Sequence, residues 1–429
     1  MIADTTAIKN VMENQVNLYV FVCMPNGEVT RAGRLLSRNL NMPGAYEGFF
    51  AYDPGYLTHP LAFPLDPVHL PLSAKTFRAA RPEAGIHWIF EDSLPDTWGR
   101  HVLIKKYGLY KGHIAPAHLL SVLKNTGLGA LMYSRRKNPP LKPKDTSIHV
   151  RYLKTILSET EELEGRLGEL EVLRLRYLLS CGTSAGGARP KAILKDGESY
   201  WLAKFPSKAD PTPYTYVHLE WLGLALGKAI GLNIPLFQVK ELAGRSALLI
   251  RRFDISDHGG RYAIVSFKTL LGMESYPEGL GYRDLAEVLR RISAKPKIDL
   301  ERLYRQMILN ICISNGDDHL QNFAILHREE GWRLSPSYDL VPNIWRQEQL
   351  LWVNGKRSEI TSQDILAEGR AFGFSKKRSL AILKDVMEQL YHARGLIDQT
   401  QELLEDRGAR HTIFDRIKGR INELSKGLG

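Results

Sequence analysis

The sequence predicts an α+β chain, with a β-rich N-terminal domain and a second part that passes from paired strands to helices. Three observations carry this. Residues 16–76 hold apolar strand runs separated by Asn-Gly and proline turns. Short strand runs around glycine turns return between 188 and 253. From about Asp299 onward the pattern is mainly helical. A chain of 429 residues has room for two or three packed units.

Composition narrows the class further. With 44% hydrophobic and 24% charged residues, the chain is ordinary for a globular protein and unlike a disordered, collagenous or disulfide-scaffold one. No run approaches the ~20 apolar residues of a membrane-spanning helix, and MIADTTAIKNVMENQ lacks the basic-then-apolar order of a secretory signal. Cys23, Cys181 and Cys312 lie far apart with no C-x-x-C spacing, as expected of a cytoplasmic protein in a reducing compartment. Lys and Arg outnumber Asp and Glu by 58 to 47, giving +11, which attracts nucleic acid, nucleotides or acidic surfaces without choosing among them.

Each element follows from its residues. VNLYVFV is a strand, the Asn-Gly of PNGE a hairpin turn, and VTRAGRL the returning strand. Tyr46 to Leu72 is rich in aromatics and prolines, so short edge strands and turns are expected there. Helices are expected from about Ser93 to Lys106 and from Ala115 to Lys124. SRRKNPPLKPKD, 134–145, reads as a linker, with a basic nucleic-acid contact as the alternative. TILSETEELEGRLGELEVLRLRYLL is a charged amphipathic helix; ARPKAILKD and SYWLAKFP are strands about the DGE turn. YVHLEWLGLALGKAIG is a helix ended by Gly231. VKELAGRSALLIRRF gives two more strands, and FAILHREEGWRLSPSYDL a hairpin at Glu330-Gly331.

The second half places, in order, a glycine-rich turn, a strand lysine, a helix glutamate, a polar loop with Asp and Asn, and a hairpin ending in another Asp. Phosphoryl transfer from ATP calls for this set, because it needs charge neutralisation and alignment more than covalent help. Lys204, on the second strand of its pair, would neutralise phosphate as a point cation; the alternative is a solvated strand lysine. Glu220 lies among apolar residues, where burial demands a partner such as Lys204; otherwise it faces water. In ISNGDDHLQNFAIL, Asp317 and Asn322 are five apart, the D-x-x-x-x-N separation of a kinase catalytic loop. The carboxylate would orient an acceptor hydroxyl, and the amide oxygen would hold magnesium. Asp339 in SYDLVP follows seventeen residues after Asn322, placed to bind magnesium bridging the phosphates. Asp318 is the competing base, and His319 is expected to orient the loop by hydrogen bonding. CGTSAGGARPKAIL, 181–194, offers Gly186 and Gly187 for close approach of backbone N–H groups to phosphate, but it does not fit G-x-x-x-x-G-K-[ST].

Taken together in this order, SAGGARPK, LAKFP, LLIRRFD, NGDDHLQNF and SYDLVP resemble the HipA family of bacterial serine/threonine kinase toxins. GFFAYDPGYL, PLAFPL and FEDSLPDTWGR resemble that family's N-terminal domain, so nearly the whole chain is covered. The resemblance implies a HipA-type N-terminal domain over 1–134, a linker over 135–145, and a two-lobed, protein-kinase-like domain over 146–429. Its small β-rich lobe would run to about 255 and its helical large lobe from about 256. The resemblance also implies ATP and Mg2+ as cofactors, with Asp317 the catalytic base and Asn322 and Asp339 the metal ligands. Lys204 would contact ATP phosphates, and Gly186, Gly187, Ala188, Arg189, Pro190 and Lys191 would form the phosphate loop. Backbone atoms of Arg251 and Phe253 would meet adenine, with Arg252, His319 and Tyr338 beside the nucleotide. Ser184 matches the serine that relatives autophosphorylate to inactivate themselves.

Two departures stand out: many relatives carry an acidic residue where Arg251 stands, and RYAIVSFKTLLG lacks a His-x-Glu-Asp pattern after the hinge. The implied partners are an aminoacyl-tRNA synthetase as the phosphorylated protein, with growth arrest following, and a small HipB-like DNA-binding antitoxin. Operator DNA would be reached through that complex, with SKKR at 375–378 as a basic patch, or else a solvated helix start. Two other classes compete: a non-enzymatic DNA-binding partner of an antitoxin, and an enzyme of the same fold that phosphorylates small molecules or transfers AMP.

Overall fold

β1 (Gln15–Cys23) and β2 (Val29–Asn39) form the predicted hairpin, closed at Pro25–Glu28, where the Met24 N–H donates to the Glu28 carbonyl at 2.7 Å. Gly27 takes φ +83°, a conformation the turn needs and a side chain would resist. The computed structural model describes the chain apart from residues 1–14, 43, 96–98, 101–102, 105–106, 110–113, 141–147, 166–190, 208–214, 243, 344–347, 406–411 and 429. The described chain divides into two compact units, one of residues 1–205 and 251–265, the other of 206–250 and 266–429.

In the first unit β3 (Tyr46–Tyr52), β4 (Thr76–Arg78) and β5 (Leu131–Ser134) complete an antiparallel sheet of order β4-β3-β2-β1-β5. A β-bulge between Val20 and Phe21 changes the alternation of β1, and every residue from Val20 to Cys23 is buried beyond it. β3 is an interior strand, not the edge strand expected from its proline-rich surroundings. The prolines begin only at Pro54, so Tyr46–Tyr52 keeps every N–H needed to pair on both sides. Helix α1 (Trp88–Asp92) precedes the helix expected from Ser93 to Lys106, within which residues 99–100 and 103–104 are helical, and α2 (Pro116–Leu123) falls where periodicity placed it. The linker residues 135–140 are irregular and mostly exposed.

β6 (Ile148–His149) precedes α3 (Leu153–Gly165), whose predicted continuation to 179 lies outside the described residues. β7 (Lys191–Asp196) and β8 (Ser199–Lys204) pair antiparallel about Gly197, and β6 runs parallel to β7. Residues 252–263 return to the N-terminal sheet. Asp254 accepts from both Arg252 nitrogens, at 2.9 and 2.6 Å, and from the Gly129 N–H at 2.8 Å. Arg261 donates to the carbonyls of Asn125, Gly127 and Gly129, so a half-buried cation is met by dipoles already fixed in a loop.

The second unit opens with α4 (Thr215–Ala229), ended at Gly231 with φ +76°, and the hairpin β9 (Phe237–Leu242)–β10 (Arg245–Arg251). Helices α5 (Phe267–Leu271) and α6 (Tyr282–Ile292) precede the expected helical onset at Asp299; α6 is strongly amphipathic and buries Tyr282, Leu285, Ala286 and Leu289. α7 (Pro296–Cys312) is the central helix, buried along most of its length. β11 (Ala324–Arg328) and β12 (Gly331–Leu334) form the hairpin predicted at Glu330-Gly331. Asp299 of α7 holds that hairpin: its carboxylate accepts from Arg333 Nε and Nη2, the Leu334 N–H and Ser293 Oγ. Helices α8 (Ser362–Glu368), α9 (Lys376–His392), α10 (Arg394–Glu405) and α11 (Thr412–Lys426) complete the unit. Among the described residues no helix is long and apolar enough to cross a membrane.

Candidate functional site

The end of α7 feeds a polar loop that the backbone enters under strain. Ser314 has φ +51° and Asp339 has φ +53°, both in a region that non-glycine residues rarely occupy. Such residues persist where the surroundings over-determine them, and they concentrate at functional sites. Here the surroundings are hydrogen bonds. The Asn343 N–H donates to the Ser314 carbonyl at 3.2 Å, and Asn315 Nδ2 donates to the Asp339 carbonyl at 3.3 Å. Just upstream of Asp339, the Ser337 N–H donates to the Asn233 carbonyl and Ser337 Oγ to Gln306 Oε1, each at 2.8 Å. Gly223 of α4 permits close approach at the next residue, since a Cβ there would stand 1.8 Å from the Leu340 carbonyl oxygen.

The two adjacent aspartates have opposite fates. The Asp317 side chain is 72% exposed. Asp318 is 0% exposed; it accepts from Tyr282 Oη at 2.8 Å and from the Leu350 N–H at 2.6 Å. Loss of hydration raises its carboxyl to about 7, against the opposing pull of these donors. An acceptor hydroxyl cannot reach a carboxylate enclosed in this way, so the geometry assigns Asp318 to anchoring residues 350–351 and makes Asp317 the chemically available member. Asn322 is buried, with its Nδ2 donating to the Asp317 carbonyl at 2.8 Å, which makes Oδ1 its acceptor end for a cation. Tyr338 Oη donates to the Gln321 carbonyl at 2.8 Å, linking the Asp339 segment to the same loop. The turn from Leu320 to Asn322 is held by Tyr276 Oη, which accepts the Leu320 N–H at 2.7 Å; burial pushes this phenol up to about 12.

His319 does not orient the loop through its ring. Its Nε2 stands 4.0 Å from Asp317 Oδ2, too far for a hydrogen bond, and its Nδ1 has no partner among the described residues. The backbone acts instead, the His319 carbonyl accepting the Asn322 N–H at 2.8 Å.

A second group lies in the first unit. Lys191 and Lys204 stand directly opposite each other in the β7–β8 ladder, and Lys191 is only 2% exposed. Gly186 to Pro190 and Ser184 lie outside the described residues. Arg251 ends β10 with its guanidinium 3.4 Å from Asp257, and Phe253 is half-buried. Arg252 is bound on both sides, its guanidinium by Asp254 and its N–H by the Tyr200 carbonyl at 2.8 Å. Glu220 is buried in α4 at 5% exposure, which excludes the water-facing alternative. Lys204 belongs to the first unit, and Glu220, Asp317, Asn322 and Asp339 to the second.

Magnesium shared with a nucleotide takes one or two protein oxygens and the phosphates for the rest. One amide and one carboxylate, Asn322 and Asp339, match that demand. Among the described residues no three His, Cys, Asp or Glu side chains gather around one point. Asn310, Asn315 and Tyr282 were absent from the sequence-derived set although they build the loop. The one signal for Asn310 was a polar position on an otherwise apolar stretch of helix.

Comparison with known proteins places this architecture. The HipA of Shewanella oneidensis MR-1, solved with HipB and its operator DNA, superposes with a TM-score of 0.66 at 16% identity, covering 95% of this chain and 96% of that one. The fold is therefore that of HipA, an α+β arrangement with a β-rich N-terminal region and a helical C-terminal region. The HipA N-terminal domain model matches residues 28–134 and the HipA-like C-terminal domain model matches 183–394. The chain belongs to the HipA family. Among curated proteins of Sinorhizobium fredii, "Putative kinase Y4mE" is 27% identical over 86% of this chain and 92% of its own length. "Putative kinase Y4dM" is 25% identical over 50% of this chain and 49% of its own.

Proposed function

We propose that the chain is an ATP- and magnesium-dependent serine/threonine protein kinase of the HipA toxin type. The observation that carries this reading is the pairing of an exposed Asp317 with a buried Asn322 that is bonded to its carbonyl, while the strained Asp339 is tied into the same loop. Relatives named as kinases support it.

In this reading Asp317 accepts a hydrogen bond from the acceptor hydroxyl and aligns its oxygen with the γ-phosphorus. Asn322 Oδ1 and Asp339 would hold magnesium, which when bound supplies charge neutralisation on the transferring phosphoryl group. Lys204 and Lys191 hold phosphate oxygens, with Gly186 to Pro190 as the phosphate loop. Backbone atoms of Arg251 and Phe253 receive the adenine. Phosphorylation of Ser184 would add about −1.5 to −2 charge to the phosphate loop at neutral pH and switch the enzyme off. The domain assignment, 1–134, linker, and kinase-like remainder, belongs to this proposal, as does a cytoplasmic location.

A small DNA-binding antitoxin is the expected partner, because the S. oneidensis HipA was solved with HipB on operator DNA. An aminoacyl-tRNA synthetase is the expected acceptor. Incubating the protein with magnesium, ATP and candidate acceptors, followed by intact-mass spectrometry, tests the reading. Addition of phosphate is expected, lost in Asp317→Asn; addition of AMP, or no mass change on any protein, contradicts it.

A further inference from the structure

One side chain, that of Asn315, bonds directly to the backbone of both Asp317 and Asp339. We propose that Asn315 is a positioning residue that holds the loops carrying them in a single register, so that the base and the metal-binding carboxylate are set together. The inference rests on the phosphotransfer reading above.

Asn315 is 2% exposed. Its Oδ1 accepts the Asp317 N–H at 3.3 Å, and its Nδ2 donates to the Asp339 carbonyl at 3.3 Å and to Asn310 Oδ1 at 3.2 Å. Its own N–H donates to the Asn310 carbonyl at 2.9 Å, so the side chain projects from a point fixed to α7. A backbone N–H can only donate and a backbone carbonyl can only accept, so these partners set the amide orientation without ambiguity. Asn310 in turn donates to Tyr282 Oη at 2.9 Å, and Tyr282 donates to Asp318, the residue after the base. The chain of bonds therefore runs from Asp339 through Asn315, Asn310 and Tyr282 back to the Asp317–Asp318 pair.

The chemistry explains why the position needs asparagine. Aspartate has no donor for the Asp339 carbonyl, leucine has neither group, and serine is too short to span both loops. Glutamine keeps both groups but places them a methylene further out. The bridge also spans the two strained residues: Ser314 precedes it with φ +51°, and Asp339 lies at its far end with φ +53°.

The test uses the full chain. Asn315→Ala is expected to lower kcat for ATP-dependent phosphotransfer by about 10-fold to 100-fold, the scale for sub-ångström misplacement of reacting groups, with KM for ATP within about two-fold. Added to Asp317→Asn, it should cost less than in the wild-type background, since the part that acts through Asp317 is already gone and only the part through Asp339 is left. Tyr304→Phe, which removes a buried hydrogen bond to the Ile365 carbonyl elsewhere in the unit, is the stability control and should leave kcat unchanged. Hydrogen exchange supplies a readout that needs no activity: in Asn315→Ala, peptides covering 316–322 and 338–343 should open together. Wild-type kcat in Asn315→Ala, or faster exchange in only one of the two segments, overturns the inference. A wild-type protein without phosphotransfer refutes the kinase reading instead, and the paired exchange result then decides the bridge alone.

Discussion

Two irregular segments of this chain are held by buried polar side chains, and they are built differently. The proline-rich loop after β3 hangs on two tyrosines: Tyr52 Oη donates to the Leu70 carbonyl and accepts the Leu65 N–H, while Tyr56 Oη donates to the Phe63 carbonyl. The rings stack 5.9 Å apart, and no residue from 53 to 75 has positive φ. The catalytic-type loop hangs on Asn310, Asn315 and Tyr282, but it also holds a strained Ser314, a buried ionisable Asp318 and an exposed Asp317. Self-satisfied anchors on relaxed backbone make scaffold, even where one is a carboxylate: Asp66, 0% exposed, accepts from the Val68 and His69 N–H groups. Strain and carboxylates retained beside each other mark the place where structure is held against its own cost for chemistry.

The largest expected effect breaks the comparison on the chemical side. Asp317→Asn should lower phosphotransfer by roughly 10²- to 10⁴-fold, the usual worth of a positioned general base, and leave the melting temperature unchanged because the side chain is exposed. Next comes Asp299→Ala, which leaves the Leu334 N–H and Ser293 Oγ without their acceptor and Arg333 with Glu330 alone. Losing these bonds to a buried carboxylate should cost about 2–4 kcal/mol, read as a lower urea midpoint. Removing the scaffold anchor with Tyr52→Phe leaves the Leu65 N–H and Leu70 carbonyl without their partner and should cost about 1–3 kcal/mol. Phosphotransfer by the folded protein should not change; a kcat loss there would erase the distinction between the two loops.

A further effect is a pH dependence. The folded-state carboxyl of Asp318 is raised to about 7 from an ordinary value of 3.8, so the native state binds more protons than the unfolded one between those values. The contribution is intact below about 4 and is lost as pH rises through about 7. Chemical denaturation from pH 4 to 8 should show stability falling over this window from this group, and Asp318→Asn should flatten that part of the curve. An unchanged slope in the variant would remove Asp318 as its source.

Much of the fold was legible because local signals agreed with global pairing. The Asn-Gly, Asp-Gly and Glu-Gly turns, set between alternating runs, gave three hairpins, and Gly231 gave the end of α4. β3 was misjudged because composition was averaged over a window whose prolines begin only after the strand. The helices α5 and α6 were missed because α5 is five residues long and Gly281 and Pro277 break the pattern before α6. At the candidate site, Asp317, Asn322 and Asp339 could be read from spacing. Choosing between Asp317 and Asp318 by chemistry needed burial, which no local pattern records. Asn315 was hidden in an Asn-Gly pair that reads as a turn, while its decisive partner lies 24 residues away.

The central claim is that Asn322 and Asp339 together hold the magnesium of a bound nucleotide. Calorimetric titration of ATP, with and without magnesium, into wild type, Asn322→Ala and Asp339→Asn tests it most directly. The account predicts that both substitutions weaken magnesium–ATP binding by at least about ten-fold, the equivalent of 1.4 kcal/mol, and that the Asp339 penalty disappears when magnesium is left out. Wild-type affinity in both variants, or an Asp339 penalty independent of magnesium, would contradict it.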